Sequence, residues 1–203
     1  MTRSPTARLF VAVDPPEDVR ELLVAWARGA LRSEEGHTRG PVAPRVLHPE
    51  SLHVTLCFLG DRPAAEMDSL GAQLAACNGR AGELSVGAPL WLPMRRPRAL
   101  AVELYDDGGE LAHLQAEVVA ALEEVSGRQP NGGVPGGDAE AGGKRRFHPH
   151  ITVARMRHGG APRERVLPAT PSLSFVPGEL VLYRSWLSPE GASYEPVAAH
   201  PIG

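Results

Sequence analysis

"SLHVTLCFLG" at residues 51–60 and "FHPHITVARM" at 147–156 decide how this 203-residue chain is read. Each holds a histidine and a threonine one residue apart, followed by an apolar run. Side chains alternate across a strand, so His53 and Thr55 share one face of theirs, with Cys57 beyond, and His150 and Thr152 share a face of theirs. Eight histidines and six threonines in 203 positions would give roughly 0.2 His-x-Thr tripeptides by chance. Two of them on strand-like stretches ask for a common reason, the plainest being partly buried strand histidines bonded to backbone.

The surroundings of the two motifs repeat. Before the first, Leu9–Val13 is an apolar run of buried-strand length, followed by helical spacing at Val19, Leu22, Leu23, Trp26 and Ala30. Asp14 is placed to cap that helix, Pro15 to open it and Glu17 to complete a capping box. After the first motif Met67, Leu70, Leu74 and Cys77 mark a second helix, and "GELSVGAPLWL" a strand. Before the second motif the strand "RALAVELY" (98–105) precedes an amphipathic helix at Leu111, Leu114, Val118, Leu122 and Val125. The stretch 127–146 is too rich in glycine and too poor in apolar residues to order itself by burial, which makes 129–146 an expected surface loop. The last 32 residues read as three short strands joined by "VPGE" and "SPEGAS" turns. The class is α+β with antiparallel neighbours, in one domain spanning 1–203.

Composition narrows the partners. With 42% hydrophobic residues the chain buries a full core. It shows neither a window of about 18 consecutive apolar residues nor a signal peptide, so a soluble, cytoplasmic protein is expected, without membrane partners. Cys57 and Cys77 are expected as free thiols. The net charge of −3 draws no duplex to the protein as a whole, although "PMRRPR" (93–98) and "KRRF" (144–147) are locally basic. A short anionic substrate suits it better.

Two similar units packed about a pseudo-two-fold axis would bring the motifs together. Imidazoles with pKa near 6.5 on opposite sides of one group are suited to paired acid and base catalysis, and two hydroxyls can hold charged oxygens between them. A phosphodiester has the matching features: two non-bridging oxygens, an in-line position for water and a leaving oxygen that needs a proton. The scheme calls for no metal and no cofactor.

"HVTL" and "HITV", with "RLFVAVDPP", "FHPHITVAR" and "LVLYRSWLSPEGASYE", resemble the two-histidine phosphoesterase superfamily, in particular its RNA 2′,3′-cyclic phosphodiesterase or 2′-5′ RNA ligase (LigT) branch. The resemblance runs from about Arg8 to Pro196. It implies a bilobal α+β fold with two pseudo-symmetric antiparallel sheets lining a central cleft, helices outside. It also implies hydrolysis of RNA 3′ ends bearing a 2′,3′-cyclic phosphate, on tRNA halves or short oligonucleotides, to a 2′-phosphate, with reversible 2′-5′ joining as a related activity of a monomer. His53 becomes the proton donor to the departing 3′ oxygen and His150 the base that activates water, with Thr55 and Thr152 on the phosphate. Arg155 and His148 become substrate contacts, although strict alternation takes Arg155 off the face of His150 unless the strand bulges. The chain departs from the family in carrying His148 where an arginine is common, and Val46 and Ala101 where tryptophan is.

Two other readings compete. His148 and His150 on one face, with His53 opposite, could form a three-histidine zinc site. A non-catalytic RNA-end binding module would use the two basic stretches, with the histidines as contacts only. Phe58 and Phe147 are more readily core residues than stacking surfaces.

Overall fold

The computed structural model describes residues 5–32, 44–126, 147–156, 166–188 and 191–202. The expected loop at 129–146 and Lys144–Arg146 lie outside them. The apolar run of the first unit forms β1 (Thr6–Val13) and leads into α1 (Glu17–Arg32); β2 (Arg45–Val46) and β3 (Val54–Pro63) follow, then α2 (Met67–Ala75) and β4 (Leu84–Leu92). The second unit gives β5 (Ala99–Tyr105), α3 (Glu110–Ser126) and β6 (His150–Arg155). The chain closes with β7 (Ser174–Phe175), β8 (Glu179–Ser188) and β9 (Gly191–Pro201).

All strands join one antiparallel path, β7-β4-β5-β6-β3-β1-β8-β9, with β2 beside β6. The two sheets expected from sequence are its four-stranded halves. They meet at one pair, Val54 opposite Ile151, after which β3 leaves β6 and β2 takes over that edge. The halves also exchange strands: β4 follows the first motif but pairs with β5, and β8 follows the second but pairs with β1. Each motif strand is thus fixed against its own unit's first strand, while the opposite unit supplies the next.

The three helices cover one face. Leu23 and Ala27 of α1, Leu70 and Leu74 of α2, and Leu111, Leu114, Val118 and Leu122 of α3 pack with Val11, Val54, Leu100 and Ile151, all wholly buried. That core supplies most of the driving force for folding. Among the described residues no helix is long and apolar enough to cross a membrane.

Local expectations fail where tertiary partners intervene. Helix α1 begins at Glu17, after two prolines, and Arg20 N–H donates to the Pro16 carbonyl, so Asp14 stands outside the helix. Its carboxylate instead accepts the Tyr183 hydroxyl at 2.6 Å. Leu22 is 48% exposed because the buried stripe runs through Val19, Leu23, Ala27 and Ala30. Cys77 falls just beyond α2, in the turn closed by its N–H on the Leu74 carbonyl.

The decisive departure is a bulge in each motif strand. Val11 pairs with Cys57 and Ala12 with Thr55, which leaves Leu56 unpaired; Leu100 pairs with Ala154 and Ala101 with Thr152, which leaves Val153 unpaired. The extra residue follows the threonine in both. Two consecutive side chains therefore enter the core, Leu56 with Cys57 and Val153 with Ala154. Cys57 consequently lies in the core rather than beside His53 and Thr55. Both orphaned carbonyls find donors elsewhere: Gln115 Nε2 reaches Leu56 O at 3.3 Å and Leu47 N–H reaches Val153 O at 2.9 Å.

Candidate active site

The Val54–Ile151 pair places the two motifs. Both side chains are wholly buried, so their neighbours in sequence present the other, open face of the sheet. In an antiparallel pair centred there, His53 lies across from Thr152 and Thr55 across from His150. In a regular ladder diagonal Cβ atoms stand about 7–8 Å apart, and the two rings are near enough for His150 to help lower the His53 pKa. All four side chains are partly exposed on that face.

The bulges complete the group. Without them the third residue after each threonine would enter the core; with them Phe58 and Arg155 return to the open face. Phe58 packs against Phe10 with ring centroids 6.1 Å apart, and Arg155 lies close enough to His53 and His150 to disfavour their charged forms. Phe147 instead packs against the main core.

The two imidazoles have related supports. His150 Nδ1–H donates to the His148 carbonyl at 2.9 Å; since a carbonyl only accepts, the tautomer is fixed and the Nε2 lone pair is left for a proton. His53 makes the corresponding backbone hydrogen bond to Ser51, two residues before it. Around the His53 ring lie Phe10 at 4.8 Å, Tyr194 edge-on at 5.0 Å and Tyr183 at 6.0 Å. Tyr183 stacks on Phe10 and is anchored by Asp14, whose own carboxyl is pushed up by burial against the lowering effect of that hydrogen bond.

Burial holds the His53 pKa down at about 3, helped by the positive charge of Arg155 and by His150, against the raising effect of the Ser51 bond. The His150 pKa is lowered first by burial, then by His148 and Arg155, against the bond to the His148 carbonyl. Every charged neighbour that perturbs these rings is a base, in a chain of net charge −3. Arg155 sets a positive charge beside both rings, suited to an anion, while the Glu103 carboxylate is engaged with His148. Burial of neutral His53 also ties stability to pH. As pH falls from about 6.5 towards 3 the unfolded chain gains a proton that the folded chain refuses, so stability present above the unfolded pKa is lost. The thermal midpoint should fall over that window, and fall less in a His53→Asn variant; equal falls would mean that His53 is no more shielded than in the unfolded chain.

His148 stands at the rim with its ring 53% exposed, Nε2 3.1 Å from the Glu103 carboxylate. Glu103 lies directly across from His150 on β5. No group of three His, Cys, Asp or Glu side chains able to hold a metal ion forms among the described residues, so the three-histidine grouping of His53, His148 and His150 is not assembled. Sequence reading missed the Phe10, Tyr183 and Tyr194 rings around His53. Their only sequence signal was a place on apolar strands, and the strand exchange that gathers them leaves no local trace.

Residues 9–185 match the 2′-5′ RNA ligase superfamily. The chain belongs to that superfamily. An RNA 2′,3′-cyclic phosphodiesterase of Thermus thermophilus is 33% identical over 190 residues, covering 92% of this chain and 86% of the relative. The Escherichia coli K12 protein of the same name is 25% identical, with 94% and 93% covered. The fold of the 2′-5′ RNA ligase superfamily chain is shared with the crystal structure of E. coli LigT complexed with 3′-AMP, at a TM-score of 0.72 and 23% identity over 98% of this chain and 99% of that one.

Proposed function

We propose that this superfamily member hydrolyses the 2′,3′-cyclic phosphate at an RNA 3′ end to a 2′-phosphate, acting as one catalytic unit with both motifs in a single site. The observation that carries the reading is the register at Val54–Ile151, which turns two His-x-Thr strands into one open-face cluster. Thr55 and Thr152 donate hydrogen bonds to the non-bridging oxygens, whose charge grows as phosphorus is attacked. His150, with Nδ1–H tied to a carbonyl, offers Nε2 to the attacking water and takes its proton. Water enters opposite the 3′ oxygen, the P–O3′ bond breaks, and His53 supplies the proton that this oxygen needs.

A neutral His53 cannot act as an acid until it is charged. The bound phosphate reverses the sign of the local field, and its negative charge favours the imidazolium. Arg155, returned to the open face by the Val153 bulge, supports the same phosphate, while His148 borders the substrate with its ring and steadies His150 with its carbonyl. A ribose 5′-hydroxyl in place of water would give a 2′-5′ bond through the same geometry, which accounts for reversible joining.

The relatives' names and the positive charge of Arg155 beside both rings support an RNA end as the substrate. Short oligoribonucleotides ending in 2′,3′-cyclic phosphate should be opened to 2′-phosphates in the presence of EDTA, with the product position read by phosphorus NMR. A 3′-phosphate product would reverse the assigned leaving group, and loss of turnover in EDTA restored by zinc would favour a metal site. A binding module would bind the ends without opening them.

A further inference from the structure

The two ends of the second half-sheet differ in charge. At the carboxyl end of β5 stand Glu103, Asp106 and Asp107. At its amino end, Ala99 pairs with Arg155, Met156 N–H donates to the Arg98 carbonyl at 2.8 Å, and Arg98 N–H closes the β4–β5 turn on Leu92 at 2.7 Å. That turn projects Arg95, Arg96 and Arg98 into solvent, all three exposed. Among the described residues none of these three, nor Arg155, is in an ion pair. From Thr152 to Arg155 the strand advances only about 7 Å, two steps of β5 because Val153 is bulged out, so the turn arginines continue outward beyond Arg155 from where the phosphate sits.

Turn arginines are ordinarily solvated charges. Here their position decides otherwise: among the described residues they continue outward from Arg155 at one end of the half-sheet, in an acidic chain, whereas Glu103 and Asp107 stand towards the other. Resting on the reaction proposed above, we infer that the β4–β5 turn grips the phosphodiester backbone upstream of the reactive end, a contact that a cyclic mononucleotide cannot make. The terminal phosphate is held by the motif residues and Arg155, and the preceding phosphates lie along the turn.

The test compares the full-length protein with its Arg95→Ser/Arg96→Ser/Arg98→Ser variant on adenosine 2′,3′-cyclic phosphate and on an eight-nucleotide RNA ending in 2′,3′-cyclic phosphate. The variant should process the mononucleotide like the parent and lose about tenfold or more in kcat/KM on the eight-mer. The eight-mer's salt dependence should become shallower by about 2 in log–log slope, at about 0.7 for each single-strand phosphate contact removed. An equal fall on both substrates, or an unchanged slope, would overturn the inference. Binding of a 2′-phosphorylated eight-mer by fluorescence anisotropy reads the turn without turnover: at least tenfold weakening supports the inference and unchanged binding refutes it, whichever way the hydrolysis reading falls.

Discussion

Replacing His53 or His150 by alanine is expected to lower kcat by about 10²–10⁴-fold, the range of a positioned acid or base. Both losses should be large, because the two rings share one face across the Val54–Ile151 pair and, in the proposed reaction, each serves one side of the phosphorus. The double variant should lose little more than the worse single one, since residues that act as a unit are not additive. Affinity for a 2′-phosphorylated RNA should persist in all three, as Thr55, Thr152 and Arg155 remain. Steady-state kinetics with anisotropy in parallel separates the outcomes. Turnover surviving both substitutions would remove the histidines from the reaction.

The second large effect lies at Arg155. Its replacement by alanine removes a cation from the proposed phosphate site and lifts a field that lowers the pKa of both imidazoles. Loss of a preorganised charged donor at an exposed strand end should lower kcat/KM by about 10–10²-fold. The lysine variant should recover only part of this, since an ammonium cannot form the paired hydrogen bonds of a guanidinium. The His53 ring should then titrate higher than about 3 in the free protein, followed by proton NMR of the imidazole. In the parent the high-pH limb of kcat should lie above that of kcat/KM, because the bound phosphate charges His53 and the free protein does not. An unmoved His53 titration in Arg155→Ala would place the guanidinium away from the site.

Much of this arrangement was legible in the residues. Periodicity marked β1, both motif strands and α3, and the repeated strand–helix–motif order already implied that His53 and His150 would meet. What strict alternation could not give was the facing of residues after each threonine. A bulge is set by pairing with a distant strand, β1 for Leu56 and β5 for Val153, and by remote donors such as Gln115. Period-two reasoning therefore sent Cys57 to the open face and left Arg155 undecided. The exchange of β4 and β8 between halves was hidden for the same reason, since hydrophobic pattern identifies a strand but not its neighbour. Asp14 looked like a cap because its nearest residues suggested one, whereas its partner, Tyr183, lies 169 residues away.

The same bulge position in both motifs gives the pseudo-symmetry its chemical asymmetry. The returning residue is a phenylalanine in the first motif strand and an arginine in the second, so the open face carries an aromatic ring beside one motif and a cation beside the other.

The most direct measurement is a crystal structure of the protein with adenosine 2′-phosphate bound. The account predicts one phosphate whose oxygens lie within about 2.6–3.2 Å of ring nitrogens of both His53 and His150, with Thr55 and Thr152 hydroxyls on its remaining oxygens. A phosphate that touches only one of the two rings, or that settles away from the face shared by the motifs, would contradict it.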